Sequence, residues 1–267
     1  MKVIDLSKPI QYNASDPFFM RVRVRHKPHH HARWIIRLLG LPFRLMPKDF
    51  VGWADDTITK MGTHSTTHID APWHYGPTSR VGEDDVPALT VDQIPLDHCI
   101  GPGIVIDVSH KPDGDAISVE DLQASLAKSG SEIEPGTIVL IRTGRDQFIN
   151  TKAYWKKGTG MSAAATEWII DQGCTVMGID QWGWDLPFHY QIKQSKQAGR
   201  DDLFWEGHRV GQRKPYWQME QLVNLDALPA NGFEVAVLPL KLVGASAAPA
   251  RVVAMLDSEK LRAPARD

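Results

Sequence analysis

Five short runs rich in Val and Ile, each bounded by turn residues, constrain this chain more than any other feature: 103–108, 137–142, 175–179, 234–240 and 251–256. Runs of that length and composition read as buried strands. Helical signals lie between them. Ser118 with Asp121 three residues on is a capping-box pattern ahead of Leu122 and Leu126, and Ser162 stands before AAATEWII, a segment that Gly173 ends. Strand, helix, strand is the repeating unit, so the expected class is α/β. With 267 residues, 42% of them hydrophobic, the chain can bury one sizeable core, and a single domain over 1–267 is expected.

Charge and cysteine content narrow the function classes. Lys plus Arg number 30 against 32 Asp plus Glu, a formal charge of −2, which argues against a nucleic-acid partner. The two cysteines, Cys99 and Cys174, lie in apolar stretches and can build neither a disulfide framework nor a cysteine zinc site. Both are expected to be buried thiols. The opening MKVIDLSKPI has no apolar signal-peptide core, and no run of about 18 apolar residues exists to span a bilayer. A soluble, cytoplasmic setting is expected, without a membrane partner.

Residues 18–50 break the charge balance. From Arg21 to Lys48 the segment carries Arg21, Arg23, Arg25, Lys27, Arg33, Arg37, Arg44 and Lys48 and no acidic residue. The alternation of basic residues with Val at 21–25 reads as a half-exposed strand, and 34–46 as a basic amphipathic helix broken near Gly40 and Pro42. The segment is expected to be an arm or lid packed on the body or on a second subunit. His29, His30 and His31 sit within it, and three consecutive side chains cannot all face one metal.

Chemistry concentrates in GTHSTTHIDAPWHYG, residues 62–76, where His64, His68, Asp70 and His74 fall within eleven residues. Imidazole nitrogen and carboxylate oxygen are ligands for Zn²⁺ or Mn²⁺, and three of them leave coordination positions open for water. Thr66, Thr67, Ile69 and Pro72 are poor interior helix residues, so a loop or strand end is expected here. His68 and Asp70, two apart, then project to one face. Were His74 a fourth ligand in a closed shell, the site would be structural.

HSTTHIDAPWH, from His64 to His74, resembles the HxGTHxDxPxH signature of the cyclase family, which includes bacterial kynurenine formamidases and isatin hydrolases. Thr66 stands where the signature has Gly. IDLSKPI near the start, IVLIRTG at 138–144, MGID at 177–180 and PLKLVGASAAPAR at 239–251 extend the likeness. The resemblance implies a swivelling β/β/α-type domain with mixed sheets and flanking helices, assembled as a homodimer or homotetramer with the N-terminal arm at the interface. It implies one ion held by His64, His68 and Asp70, and a second or alternative position at Asp70, His208 and Glu220, with Asp70 bridging. His74 takes the role of proton shuttle, and the cofactor is one or two ions of Zn or Mn.

The activity so implied is hydrolysis of an amide, formamide or lactam bond of a small aromatic or cyclic substrate by metal-bound hydroxide. Trp73, Trp182 and Trp184 are candidates for a flat apolar pocket, and Asp180 and Asp185 for carboxylates that orient ligating histidines. Two other classes share the same residues. One is a metal-dependent lyase, dehydratase or cyclase acting through enolate stabilisation; the other is a metal-stabilised binding protein without catalysis.

Overall fold

All five Val- and Ile-rich runs enter one mixed sheet, alongside strands whose sequences carry no such signal. The computed structural model describes residues 1–257. Contacts separate Ile10–Gly62 from a larger unit formed by Met1–Pro9 and the chain from Thr63 onward. The larger unit begins with strand β1 (Lys2–Asp5).

In the smaller unit Arg23–Lys27 (β2) pairs antiparallel with Asp55–Lys60 (β3), held by Lys27 to Asp55 at 2.8 Å and His26 to Asp56 at 2.9 Å. The strand expected at 21–25 is therefore present, shifted by two residues. Helix α1 (His30–Leu38) starts four residues earlier than the expected 34–46 and ends before Gly40, whose φ of 107° no continuing helix allows.

The larger unit continues through β4 (His68–Asp70), the short helix α2 (Pro72–Tyr75) and a hairpin of β5 (Thr78–Val81) and β6 (Asp84–Pro87). Then come β7 (Ile100–Asp107), β8 (Ala116–Ile117), α3 (Val119–Ser129), β9 (Ile138–Arg142), β10 (Gly160–Met161), α4 (Ala163–Asp171) and β11 (Val176–Ile179). Helices α5 (Phe188–Ala198) and α6 (Glu206–Arg213) lead to β12 (Trp217–Glu220), β13 (Phe233–Pro239) and β14 (Ala247–Leu256). The caps read from sequence close as hydrogen bonds. Asp121 N–H donates to Ser118 Oγ at 3.3 Å and Ser118 N–H to Asp121 Oδ2 at 2.8 Å, while Ala165 N–H donates to Ser162 Oγ at 3.1 Å.

Strands β7, β9, β11 and β12 are parallel neighbours joined through helices, the α/β arrangement expected; β13, β14 and β4 pair antiparallel and return to β12. The seven strands thus form a closed ring. β14 carries β4 along Ala247–Pro249 and β1 farther along the same edge. Alternation divides the core in two. Ile69, Val105, Leu140, Met219, Val235 and Val252 belong to one buried cluster, and Ile104, Ile106, Val139 and Ile141 to another that also takes in Leu122, Ile169 and Tyr216. Cys99 and Cys174 are free and fully buried, as expected. Among the described residues no helix is long and apolar enough to cross a membrane.

Candidate metal centre

β4 and β12 run antiparallel in a register that sets Glu220 opposite His68 and Gln218 opposite Asp70. Residues two apart on a strand share a face, and directly opposed residues share it too. His68, Asp70, Gln218 and Glu220 therefore make a two-by-two polar patch, buried, on the face opposite Ile69 and Met219. On the other flank of β4, Ala247 opposes Asp70 and Pro249 opposes His68, small apolar neighbours for the same patch.

Three histidines reach the patch from outside the ladder. His64, in the turn before β4, places Nδ1 2.9 Å from Asp70 Oδ1 and 3.2 Å from His68 Nε2. His208 rides the first turn of α6, where Asp185 accepts from Gly207 N–H at 2.7 Å and His208 N–H at 3.2 Å and also bonds His208 Nδ1. Nε2 is thereby turned inward, 3.4 Å from Glu220 Oε1 and 3.9 Å from Asp70 Oδ2. His74 lies on α2, which Pro72 starts at its first position; its ring centroid is 4.2 Å from that of His64 and 5.5 Å from that of His208. Ligand atoms of His64, Asp70 and His74, and likewise of His68, Asp70 and Glu220, lie within 4.8 Å of one another.

The donor set suits a divalent cation. His68 Nδ1 meets Thr66 O at 2.7 Å, so in the neutral ring Nδ1 keeps the hydrogen and Nε2 the lone pair. That lone pair faces Asp70 Oδ1 across 3.2 Å, and Oδ1 is buried and accepts no hydrogen bond. Two lone-pair atoms opposed in the interior call for positive charge between them. Imidazole and carboxylate together suit Zn²⁺ or Mn²⁺.

Charge within the cluster is shared unevenly. Burial alone would raise the Asp70 carboxyl, but the imidazoles of His64, His68 and His74 outweigh it and hold the group well below the usual carboxylate range. Burial opposes charge on His208 too, yet Asp185, with Glu220, raises its basicity. His74 goes the other way. Burial lowers it to about 4, with His64 and His208 adding to the fall against the pull of Asp70.

The remaining candidates divide. Asp185 orients His208, whereas Asp180 accepts from Thr143 N–H at 2.7 Å and Gly144 N–H at 2.8 Å and organises the turn after β9. Trp73 is 43% exposed. Trp182 is half-buried beside Trp155 and Phe188, at ring centroid distances of 5.6 and 5.4 Å. The Trp184 ring is fully buried in the core, its Nε1 donating to Thr166 Oγ1 at 2.9 Å, and its backbone N–H donates to Glu220 Oε1 at 2.8 Å. Sequence reasoning missed Gln218, Tyr216 and Trp205. Trp205 stacks on His208 with centroids 4.5 Å apart and stands edge-on to His74, in a left-handed backbone conformation (φ 58°) rare for a bulky residue. Gln218 carried a usable signal: Gln-x-Glu repeats the two-residue spacing of His68 and Asp70.

Comparison with known proteins bears on the whole arrangement. The Cyclase family model matches residues 4–186. Isatin hydrolase of Roseibium aggregatum is 28% identical over 205 residues, covering 73% of each chain. Kynurenine formamidase of Paracidovorax citrulli is 30% identical over 194 residues, 72% of this chain and 76% of that one. Among solved structures, an isatin hydrolase bound to the product analogue thioisatinate superimposes with a TM-score of 0.71 at 21% identity, covering 96% of this chain and 93% of the other, a likeness of fold. With the family model spanning residues 4–186, more than half of the chain, the chain belongs to the cyclase family.

Proposed function

We propose that this chain is a metal-dependent amidohydrolase that opens an amide, formamide or lactam C–N bond of a small aromatic or cyclic substrate. The relatives named isatin hydrolase and kynurenine formamidase support hydrolysis of a non-peptide C–N bond. One observation carries the reading: Asp70 Oδ1, buried and without a hydrogen bond, faces imidazole nitrogens of His64 and His68 at 2.9 and 3.2 Å. His64, His68 and Asp70 would hold a divalent ion, Zn or Mn, with the Glu220 side chain adjacent. Such an ion supplies a Lewis acid for the scissile carbonyl and lowers the pKa of water from about 15.7 toward about 7.

The chain's own residues do the rest. His74, largely neutral at pH 7 because burial lowers its pKa to about 4, is able to take a proton from water and return it to the departing amine. Trp205 walls the space beside His74 and His208 with an apolar face. The fully buried Tyr75 and Tyr216, both raised well above the ordinary phenol range by burial, stay protonated and add no charge. The basic N-terminal segment is proposed to join copies of the chain into a homodimer or homotetramer.

Elemental analysis coupled to a screen of formyl-anilides, lactams and cyclic imides, with and without chelator, tests ion and reaction together. Mass spectrometry should find one water added to the product, where a lyase would add none. His74→Ala should lower turnover by about 10²–10⁴-fold with metal content retained. Asp70→Ala should lower metal content and melting temperature together, because an ion bound only by the folded chain stabilises it. Equal metal in wild type and the Asp70 variant would overturn the ligand assignment.

A further inference from the structure

We infer that the site is built for a single ion, and that the side chain of Gln218 fills the second position bounded by Asp70, His208 and Glu220. The inference rests on the metal-dependent reading above and adds the number of ions to it.

Asp70 has two carboxylate oxygens in two different surroundings. Oδ1 faces His64 and His68 and accepts no hydrogen bond. Oδ2 accepts from Gln218 Nε2 at 3.1 Å. The same nitrogen donates to Glu220 Oε1 at 3.0 Å and lies 2.7 Å from His208 Nε2. One amide nitrogen therefore stands against all three atoms that would ligate a second cation. Zinc lies about 2.0–2.2 Å from such ligands, so an ion shared by these three atoms would collide with that nitrogen. A carboxamide nitrogen is a donor only and cannot itself join a coordination shell.

The orientation of the amide follows from its neighbours. Tyr216 Oη lies 2.7 Å from Gln218 Oε1 and 3.1 Å from Gly207 O, and its one proton, given to the nearer acceptor, points the NH₂ group at the two carboxylates. Turned over, the amide would set its carbonyl oxygen against Asp70 and Glu220. Glu220 divides as Asp70 does: Oε1 also accepts the Trp184 backbone N–H at 2.8 Å, while Oε2 faces His68 Nε2 at 3.7 Å. Both carboxylates thus give one oxygen to hydrogen-bond donors and keep the other toward His68. Gln218 is fully buried and fixed opposite Asp70 by the β4–β12 register, so it has no solvent-facing alternative within that ladder.

The test is metal stoichiometry, read without turnover. Wild type, Gln218→Ala and Asp70→Ala are dialysed to equilibrium against saturating Zn²⁺ and, separately, Mn²⁺. Ions remaining on the Asp70 variant, which include any held by the exposed His29–His31 run, are subtracted as background. The expected result is one ion per chain in wild type and two in Gln218→Ala, with spin coupling between paired Mn²⁺ ions appearing in electron paramagnetic resonance of the variant alone. Two ions in wild type, or one in a folded Gln218→Ala, overturns the inference and leaves the hydrolase reading standing. No specific ion in wild type overturns both. Should Gln218→Ala fail to fold, Gln218→Ser, which keeps a small polar side chain at the position, takes its place with the same expected count.

Discussion

His208 faces the cluster because Asp185 holds its other nitrogen and caps the helix that carries it. The pairing predicts a graded loss. In Gln218→Ala, where His208 is free to ligate the second ion, adding Asp185→Asn keeps the shape but gives up the charge, and the affinity for that second ion should fall by about 10–100-fold, the usual effect of removing a carboxylate behind a ligating histidine. The direction of the pKa shifts adds a second expectation. Against burial, Asp70 raises His68, so its Nε2 holds a proton to higher pH than an ordinary imidazole, and an ion taking that nitrogen competes with the proton. Ion uptake should release protons, and affinity should climb with pH from the acid side toward neutrality. Calorimetric titration in two buffers of different ionisation enthalpy measures the release, and a buffer-independent heat would contradict it. His64, His68 and Asp70 were legible in the sequence because the proposed ligation demands imidazole and carboxylate at short spacing, and His74 was legible as the last histidine of the same signature. Tyr216 and Trp205 were not, since their parts depend on which strand or helix lies opposite, and the Gln-x-Glu spacing of Gln218 acquires meaning only once β12 is paired with β4.

At the scale of elements, the position of α6 depends on close approach. A Cβ built on Gly211 would lie 2.0 Å from Cδ2 of Tyr75, a fully buried ring stacked on Tyr216 with centroids 4.9 Å apart. Gly211→Ala must therefore push α6 from α2 and carry His208 with it. Overpacking of this kind costs about 1–3 kcal/mol, a fall in melting temperature of roughly 2–12 °C for a chain of this length. Turnover should fall in parallel, because His74 stands beside Tyr75 on α2. Gly130, just after α3, has nothing within 4 Å of its built Cβ but a φ of 63°, so Gly130→Ala should cost only the left-handed backbone strain of about 1–2 kcal/mol and leave turnover unchanged. The pair separates crowding at the site from strain remote from it. The strands most visible in the sequence were rich in Val and Ile: β9 and β11 are buried almost throughout, while β13 alternates buried with exposed positions. β4, β12 and α6 gave no such signal. β12 alternates core residues with Gln and Glu, and α6 contains two glycines, because these elements spend their side chains on the site and on close packing.

For the molecule as a whole, the unit at Ile10–Gly62 is under-supplied with core. Val22, Ala32 and Met46 are its buried apolar side chains, while Phe18, Phe19, Trp34, Leu38 and Leu39 are 59–85% exposed. A two-stranded ribbon with one nine-residue helix is not stable on so little burial. Apolar exposure concentrated this way marks an association surface. Charge indicates what it meets. The unit holds nine Lys or Arg against four Asp or Glu, whereas the whole chain holds 30 against 32, so acidic residues are in excess elsewhere. We propose a second copy of the same chain as the bearer of that complementary surface, and association between copies should then be weakened by salt. Light scattering on the wild-type protein is expected to give a multiple of the chain mass. Leu38→Glu combined with Trp34→Glu places charge on the exposed face of α1 and should reduce the particle toward a single chain. Metal content of the dissociated variant should persist, because every ligand named above lies outside Ile10–Gly62. A wild-type protein of one chain mass at micromolar concentration would remove the second copy as the partner of this surface.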